Sequence, residues 1–267
     1  MNHAIIDNGD KMKNTEIFYF DVDGTLLNNT DHTVSNNTVK SLNMLKDKGY
    51  KVALCTGRNY DGIVEANVLD LIEWDGFVLA NGSLVLDRNK KIIFESQMEH
   101  DLIKRIDDAI VGPLILEGAE TFCTKKPNQR LEEAIKHFGL EDSIVIKPHT
   151  DEIVYNMICY SFEEITGDLL TEINEKCLLM KDQLGNMEMI PANSGKHYGT
   201  KVLNKHLNVE RFTGFGDGEN DVLFLKEATH SVAMGNGVQN VKDVSTYTTK
   251  NVSEDGIHHA LLHFGIL

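Results

Sequence analysis

The chain has 267 residues, 41% of them hydrophobic and 25% charged, which is ordinary for a globular protein and enough for one large α/β domain or two smaller ones. Its 26 Lys and Arg stand against 41 Asp and Glu, a formal charge of −15. That field repels polyanions, so nucleic acid and an anionic membrane surface are excluded as expected partners, while a small anion held by a local cation and a few amides is not.

No apolar run approaches the ~20 residues that span a bilayer. The four cysteines, Cys55, Cys123, Cys159 and Cys177, are scattered with no Cys-x-x-Cys pair, the spacing of reduced core thiols rather than of a zinc site or a disulfide framework. A cytoplasmic location is expected. Residues 1–14 are polar and lack a hydrophobic signal core, and they are expected to be a mobile extension, with Met12 as a second start or the stretch as a remnant of expression. Monomer and dimer are left equally open.

Glu16-Ile17-Phe18-Tyr19-Phe20 is a short apolar run rich in β-formers that stops at acidic residues, which predicts a strand buried on both faces as in a parallel sheet. Residues 35–48 read as a helix: Ser35 is placed to cap it, Val39, Leu42 and Leu45 recur at helical spacing, and Gly49 closes it. A second buried strand is predicted over 51–55, a helix over 61–71 and a third strand over 77–80. This is the rhythm of a doubly wound parallel sheet.

The rhythm then changes. Strands over 83–86 and 91–94 flank a polar turn, and a helix follows at 99–111. Short strands are predicted at 114–116 and 120–124, a helix at 128–138, a strand at 153–159, a helix at 163–176, and strands near Leu178 and Glu188. Hairpins mixed with helices indicate an α+β insertion with its own sheet. From Gly195 the helix/strand alternation returns. The expected fold class is α/β: a Rossmann-like doubly wound parallel sheet core over 15–84 and 188–267, with an inserted α+β cap domain over 85–187.

Asp21-Val22-Asp23-Gly24-Thr25 directly follows the first buried strand. In an open α/β sheet ligands bind outside the carboxyl ends of the strands, where these carboxylates fall. An alternating chain puts Asp21 and Asp23 on the same side, and carboxylates so close call for a cation beside them. Gly24 permits a backbone whose successive amides face an anion. An isolated Asp-Gly would be only a turn; the full pentad after an apolar strand is far more specific.

Thr56-Gly57-Arg58 closes the second strand in the equivalent position, where a hydroxyl beside a glycine suits a phosphate oxygen, although the same residues also make a helix cap and turn. Asn81-Gly82 after the third strand is weaker, being by itself a hairpin signal. Gly216-Asp217-Gly218-Glu219-Asn220-Asp221 follows a further strand-like run, and its two aspartates four apart can face a single cation. Helix capping explains one aspartate but neither the glycines nor Asn220. Lys196 opens the first helix after the insertion; alone it would be a surface charge, as Lys201 and Lys205 are read to be.

With these segments in this order, the chain resembles the haloacid dehalogenase-like superfamily and, within it, the Cof-type sugar-phosphatase branch. The segments that carry the resemblance are residues 18–26, 53–58, 80–82, 191–196, 215–221 and 232–236, with Glu254-Asp255-Gly256 beyond them. The resemblance implies that Asp21 is the nucleophile and Asp23 the general acid/base. It implies that Thr56 and Lys196 hold the transferring phosphoryl group, with Gly24, Gly57 and Asn220 beside them. Mg²⁺ is the implied cofactor, with Asp217 as a ligand, Asp221 supporting the metal directly or through water, and Asp21 and the backbone carbonyl at Asp23 completing the protein's share. His197 and Gly237 depart from the usual pattern without touching a catalytic role.

The activity expected is Mg²⁺-dependent hydrolysis of a small phosphorylated metabolite through an aspartyl-phosphate. Asp23 argues against the family's ATPases and dehalogenases, which lack this acidic pair. A phosphosugar mutase is the alternative, and it calls for extra cations in the cap; Lys125, Lys126, Arg130, Lys136 and Lys147 form no obvious cluster in sequence. A silent ligand-binding regulator of the same fold is a third reading, disfavoured by intact motifs. Glu117, His149 and Tyr155 are cap residues that could equally contact substrate or serve structure.

Overall fold

Four apolar residues in a row put apolar side chains on both faces of a strand, and the first such run, β1 (Ile17–Phe20), is fully buried. The computed structural model describes residues 16–138, 144–182 and 184–267; the extension expected over 1–14 lies outside them. Helix α1 (Asn36–Asp47) begins where Ser35 accepts a hydrogen bond from the Thr38 amide, the cap read from sequence. Strand β2 (Lys51–Cys55) pairs in parallel with β1.

Helix α2 (Tyr60–Glu65) is shorter than the 61–71 expected. Asn67 adopts a left-handed φ of 54°, which ends the helix, and the following carbonyl of Val68 accepts a hydrogen bond from Trp74 Nε1 at 3.0 Å. Strand β3 (Gly76–Leu79) pairs in parallel with β2, and β4 (Leu84–Asp87) and β5 (Ile92–Glu95) extend the same sheet antiparallel. The sequence reading placed this hairpin in the insertion, with a boundary after residue 84. It belongs to the first sheet because the edge of β3 is free to pair and the turn after Leu79 folds β4 straight back onto it.

The insertion holds α3 (His100–Ala109), β6 (Leu114–Gly118), β7 (Thr121–Cys123), α4 (Gln129–Phe138), β8 (Val145–Ile146), β9 (Val154–Cys159), α5 (Gly167–Lys176), β10 (Cys177–Lys181) and β11 (Met187–Pro191). Its strands form a second sheet in the order β10-β11-β9-β6-β7-β8. Strand β11 pairs antiparallel with both β10 and β9, so the insertion runs past the expected boundary at 187 to Pro191. The predicted helix over 163–176 splits into a 3₁₀ turn at Phe162–Glu164 and α5, because Gly167 takes a φ of 64°.

The sheet presents alternate residues to two surroundings. Leu114, Leu116, Met157 and Met189 pack with Leu102, Ile103 and Ile106 of α3 and Ile173 of α5. The other face carries Ile115 and Ile158, on which Leu131 and Ala134 of α4 pack.

The chain then returns to the first sheet through α6 (Lys196–Leu207), β12 (Phe212–Gly216), α7 (Val222–Glu227), β13 (His230–Ala233), α8 (Gln239–Val244), β14 (Tyr247–Thr248) and α9 (Gly256–His263). The completed order is β14-β13-β12-β1-β2-β3-β4-β5, with β1 paired in parallel to β12 on one side and β2 on the other. Phe18 and Phe20 face α1 and α9, while Ile17 and Tyr19 face α6, α7 and α8. Each such aromatic contributes about 1.5–3 kcal/mol by leaving water. The expected doubly wound core with an inserted α+β cap is the fold observed. Among the described residues no helix is long and apolar enough to cross a membrane. Where the chain passes between the sheets, the two crossings touch: Ser96 Oγ donates to Asn193 Oδ1 at 2.6 Å.

Candidate active site

Strand β1 ends at Asp21, whose N–H donates to the Phe215 carbonyl of β12 at 3.1 Å, so the first and second acidic motifs leave the sheet side by side. The chain then turns tightly, with the amides of Thr25, Leu26 and Leu27 all directed at the Val22 carbonyl. Gly24 has a φ of 76°, and a Cβ there would lie 2.3 Å from Asp217 Oδ2, so only glycine lets the two motifs approach. Thr25 Oγ1 donates to Asp217 Oδ1 at 3.1 Å.

Asp221 holds its own loop by accepting the Asp217 and Gly218 amides on Oδ2, at 2.9 and 3.0 Å. Its other oxygen accepts from Lys196 Nζ at 2.6 Å, and the same ammonium donates to Asp21 Oδ1 at 2.7 Å. Lys196 is only 2% exposed, so this is a buried charge bridge and not a surface pair. Lys201, by contrast, pairs with Glu227 on the exposed face of α6, as its sequence context suggested.

Asp21, Asp217 and Asp221 each offer an oxygen within 4.8 Å of the others. Burial pushes the Asp21 carboxyl up to about 7; Lys196 pulls it down, and Asp221 and Asp23 push it further up. Burial, with Asp21 and Asp221 as neighbours, raises Asp217 well above the ordinary carboxylate range. Burial by itself would lower Lys196, but the two carboxylates more than reverse this and hold it well above a usual lysine. One ammonium among three carboxylates leaves a surplus of negative charge. That surplus and an all-oxygen donor set fit a hard divalent cation.

Asp23 turns elsewhere. Both of its oxygens accept from Arg58, from Nε at 2.8 Å and Nη2 at 2.7 Å, and Arg58 Nη1 donates to the Gly62 carbonyl at 3.0 Å. Its side chain stands outside the three-carboxylate cluster, in keeping with the implied use of its backbone carbonyl alone. Thr56 is buried at the end of β2, its amide donating to the Val78 carbonyl and its hydroxyl accepting from the Arg58 amide at 3.1 Å. Gly57 and Asn220 lie on the wall of the cavity described below.

Three further residues complete the constellation that sequence reasoning left out or underrated. Arg58 was read only as part of a turn. Asn81, buried and left-handed with a φ of 52°, accepts from Asn220 Nδ2 at 2.9 Å and donates through its own Nδ2 to Glu188 Oε2 of β11 at 3.0 Å. Asn236 donates to the Gly24 carbonyl at 2.8 Å and accepts the Val252 amide at 2.8 Å, fixing the back of the first loop. Asn81 and Asn236 fall in segments that carried the family resemblance, which was the signal available for them.

A cavity of about 280 Å³ opens between the two sheets. Its floor carries Asp21, Asp23 and Asp217, and its far wall carries Glu117, Glu188, Ile158 and Tyr160. Glu117 thus faces the site, as the sequence allowed. Tyr155 instead donates to Glu95 at 2.8 Å, and His149 meets the Glu152 carbonyl at 3.2 Å and the His100 ring edge-on, both outside this cavity.

Known proteins share this arrangement. The chain is 26% identical over 272 residues to the 5-amino-6-(5-phospho-D-ribitylamino)uracil phosphatase YwtE of Bacillus subtilis, an alignment covering 89% of this chain and 93% of that protein. Its fold is similar to that of the HAD subclass IIB sugar phosphatase BT4131, with a TM-score of 0.78, 24% identity, and 95% and 100% of the two chains covered. It is equally similar to BT1666 from Bacteroides thetaiotaomicron, a phosphatase of the same superfamily, with a TM-score of 0.80 at 22% identity over the full length of both. The sequence pattern of the haloacid dehalogenase-like hydrolases matches residues 18–261, so that pattern takes in all the strands of the core and all four motifs. The chain belongs to the haloacid dehalogenase-like hydrolases, of the Cof type, and is a phosphatase, a phosphoric monoester hydrolase.

Proposed function

We propose that the chain hydrolyses a small phosphorylated metabolite by transferring the phosphoryl group to Asp21 and then to water, with Mg²⁺ as its cofactor. The observation that carries this reading is the Lys196 ammonium bridging Asp221 to Asp21, which lies on the floor of the cavity between the sheets. Asp21 Oδ attacks phosphorus, the P–O bond to the alcohol breaks, and an aspartyl-phosphate forms. Lys196 and Thr56 hold the equatorial oxygens as negative charge builds on them. Asp21, Asp217 and Asp221, with the Asp23 carbonyl, would hold the metal, which when bound shields the anionic phosphate from the anionic nucleophile.

Asp23 gives a proton to the departing alkoxide and, in the second half, takes one from the water that attacks the aspartyl-phosphate. Both its oxygens are committed to Arg58, so handling a proton requires one of those hydrogen bonds to open. Three of the five cations weighed for a mutase are occupied elsewhere: Lys125 donates to the Asp107 and Ile110 carbonyls, Arg130 to Glu163, and Lys147 to Glu120 and Glu152. Hydrolysis is therefore preferred to phosphosugar transfer. The test is Mg²⁺-dependent phosphate release from p-nitrophenyl phosphate, which should vanish in Asp21→Asn. Activity retained in that variant overturns the assignment. A phosphate-release screen over sugar phosphates, flavin and pyridoxal phosphates, nucleotides and the phosphoribitylamino-uracil named for the Bacillus relative would then narrow the substrate.

A further inference from the structure

We propose that Glu117 and Glu188 form the leaving-group subsite and select phosphomonoesters whose alcohol half carries a cationic amine, rejecting those with a second anionic group. The inference rests on the phosphatase reading above and adds the charge class of the substrate.

The register of the cap sheet brings the two carboxylates together. Glu117 of β6 lies opposite Asn156 of β9, and Glu188 of β11 lies opposite Ile158 of the same strand. Residues at steps of two share a face, so Glu117, Asn156, Ile158 and Glu188 share the face that looks toward Asp21. The reverse face, with leucines and methionines at the alternate positions, supplies the fold's apolar packing. Packing does not call for glutamate on the cavity face, and among the described residues neither forms an ion pair there. Arg58 acts on Glu117 and Lys196 on Glu188 only from a distance, too weakly to offset their burial.

Their hydrogen bonding is incomplete. Glu117 Oε2 accepts from Asn156 Nδ2 at 2.7 Å and Glu188 Oε2 from Asn81 Nδ2 at 3.0 Å. Among the described residues nothing donates to the second oxygen of either carboxylate. Asn156 is fully buried on the same face, and with its amide nitrogen given to Glu117 its Oδ1 has no partner at all. A buried acceptor is normally satisfied, so Asn156 Oδ1, flanked by the half-bonded carboxylates of Glu117 and Glu188, marks a place for a donor-rich group. Burial pushes Glu117 up to about 7; burial, then Glu117 and Asp182 as neighbours, pushes Glu188 up to about 8. An ammonium between them removes that electrostatic cost.

The rest of the wall sets the other half of the selection. Among the described residues lining the cavity the only cations are Arg58, already bonded to Asp23, and Lys181, which is exposed. A second phosphate or a carboxylate would face Glu117 and Glu188 with nothing to neutralise it. Leu131, Ile135 and Ile158 offer an aliphatic surface for the carbon frame of the leaving group.

The experiment compares kcat/KM of the full chain on glucosamine 6-phosphate, glucose 6-phosphate and 6-phosphogluconate, which share a phosphate position and differ in charge at the far end. The ammonium substrate should exceed the neutral one, and the neutral one the carboxylate, each by about tenfold, the scale of one charge-assisted hydrogen bond. A wild-type preference that is flat or reversed overturns the proposal without recourse to any variant. In Glu188→Gln and Glu117→Gln the ammonium-to-neutral ratio should fall toward one; a ratio unchanged in both overturns the assignment to these residues. Wild-type turnover of p-nitrophenyl phosphate separates the two levels. Its absence overturns the phosphatase reading, whereas its presence with a flat ratio overturns the subsite alone.

Discussion

Arg58 holds Asp23 by two nearly parallel hydrogen bonds, 2.7 and 2.8 Å long, so the second acid of the first motif has no oxygen free. The guanidinium is itself anchored to the Gly62 carbonyl, which fixes the plane in which Asp23 is presented. Arg58→Ala should leave Asp23 unoriented and lower kcat by about tenfold to a hundredfold on alkyl phosphates, below the ~10²–10⁴-fold of general acid catalysis because the acid itself remains. The loss should be smaller on p-nitrophenyl phosphate, whose leaving group needs no proton. Asp23→Asn should show the same split. Equal losses on both substrate types would remove the acid role from Asp23.

Lys196→Met removes the one cation between Asp21 and Asp221. Breaking a buried charge bridge from one side costs about 3–5 kcal/mol, and the remaining carboxylates then repel one another. Thermal unfolding should show the variant strongly destabilised without metal. Added Mg²⁺ should raise its midpoint by more than it raises that of the wild type, because the ion takes over part of the lost charge balance. Equal metal-induced shifts would mean that Lys196 and the metal do not share these carboxylates.

Proton and metal should compete. The Asp21 carboxyl sits up at about 7 and Asp217 is raised well above its ordinary range, so a metal bound through them displaces protons. Calorimetric titration with Mg²⁺ should show affinity increasing from pH 6 to pH 8, with proton uptake by the buffer. Affinity independent of pH across that window would exclude Asp21 and Asp217 as ligands.

Stability without metal should move the opposite way. Glu117 and Glu188 titrate in the folded chain at about 7 and about 8, against an ordinary value of 4.5. The folded state therefore binds more protons than the unfolded chain between these values. The stabilisation is fully present below pH 4.5 and is lost as pH rises through 7 and 8. Melting of the metal-free protein should fall from pH 5 to pH 8, and Glu188→Gln should flatten the slope. An unchanged slope in that variant would assign the pH dependence to the floor carboxylates instead.

Sequence made the floor of the site legible and the wall much less so. Asp21, Asp217 and Asp221 sit in short contiguous motifs at strand ends, where the topology of a parallel sheet forces convergence. Lys196 needed the resemblance, since nothing local marks a lysine at a helix start as buried. Arg58 was missed because its partner is 35 positions away, and its own neighbourhood reads as a turn. Glu188 was named only as a strand position: in a two-sided strand, a polar residue facing a cavity looks the same as one facing bulk water. The hairpin of β4 and β5 was recognised as a hairpin but assigned to the wrong sheet. Local turn chemistry specifies that two strands pair, not which free edge receives them.

The contact between Ser96 and Asn193 has a consequence for how the molecule can change. The cap is entered and left through a single doorway, its two threads touching at 2.6 Å. The cap is also bonded to the first sheet away from the doorway, Asn81 to Glu188 and Tyr155 to Glu95 among others, so any swing about the doorway has to break these bonds and remakes them on closing. The same doorway makes the module separable: residues 97–192 can be exchanged for another lid whose ends lie equally close, leaving the floor chemistry in place while the choice of substrate is rewritten.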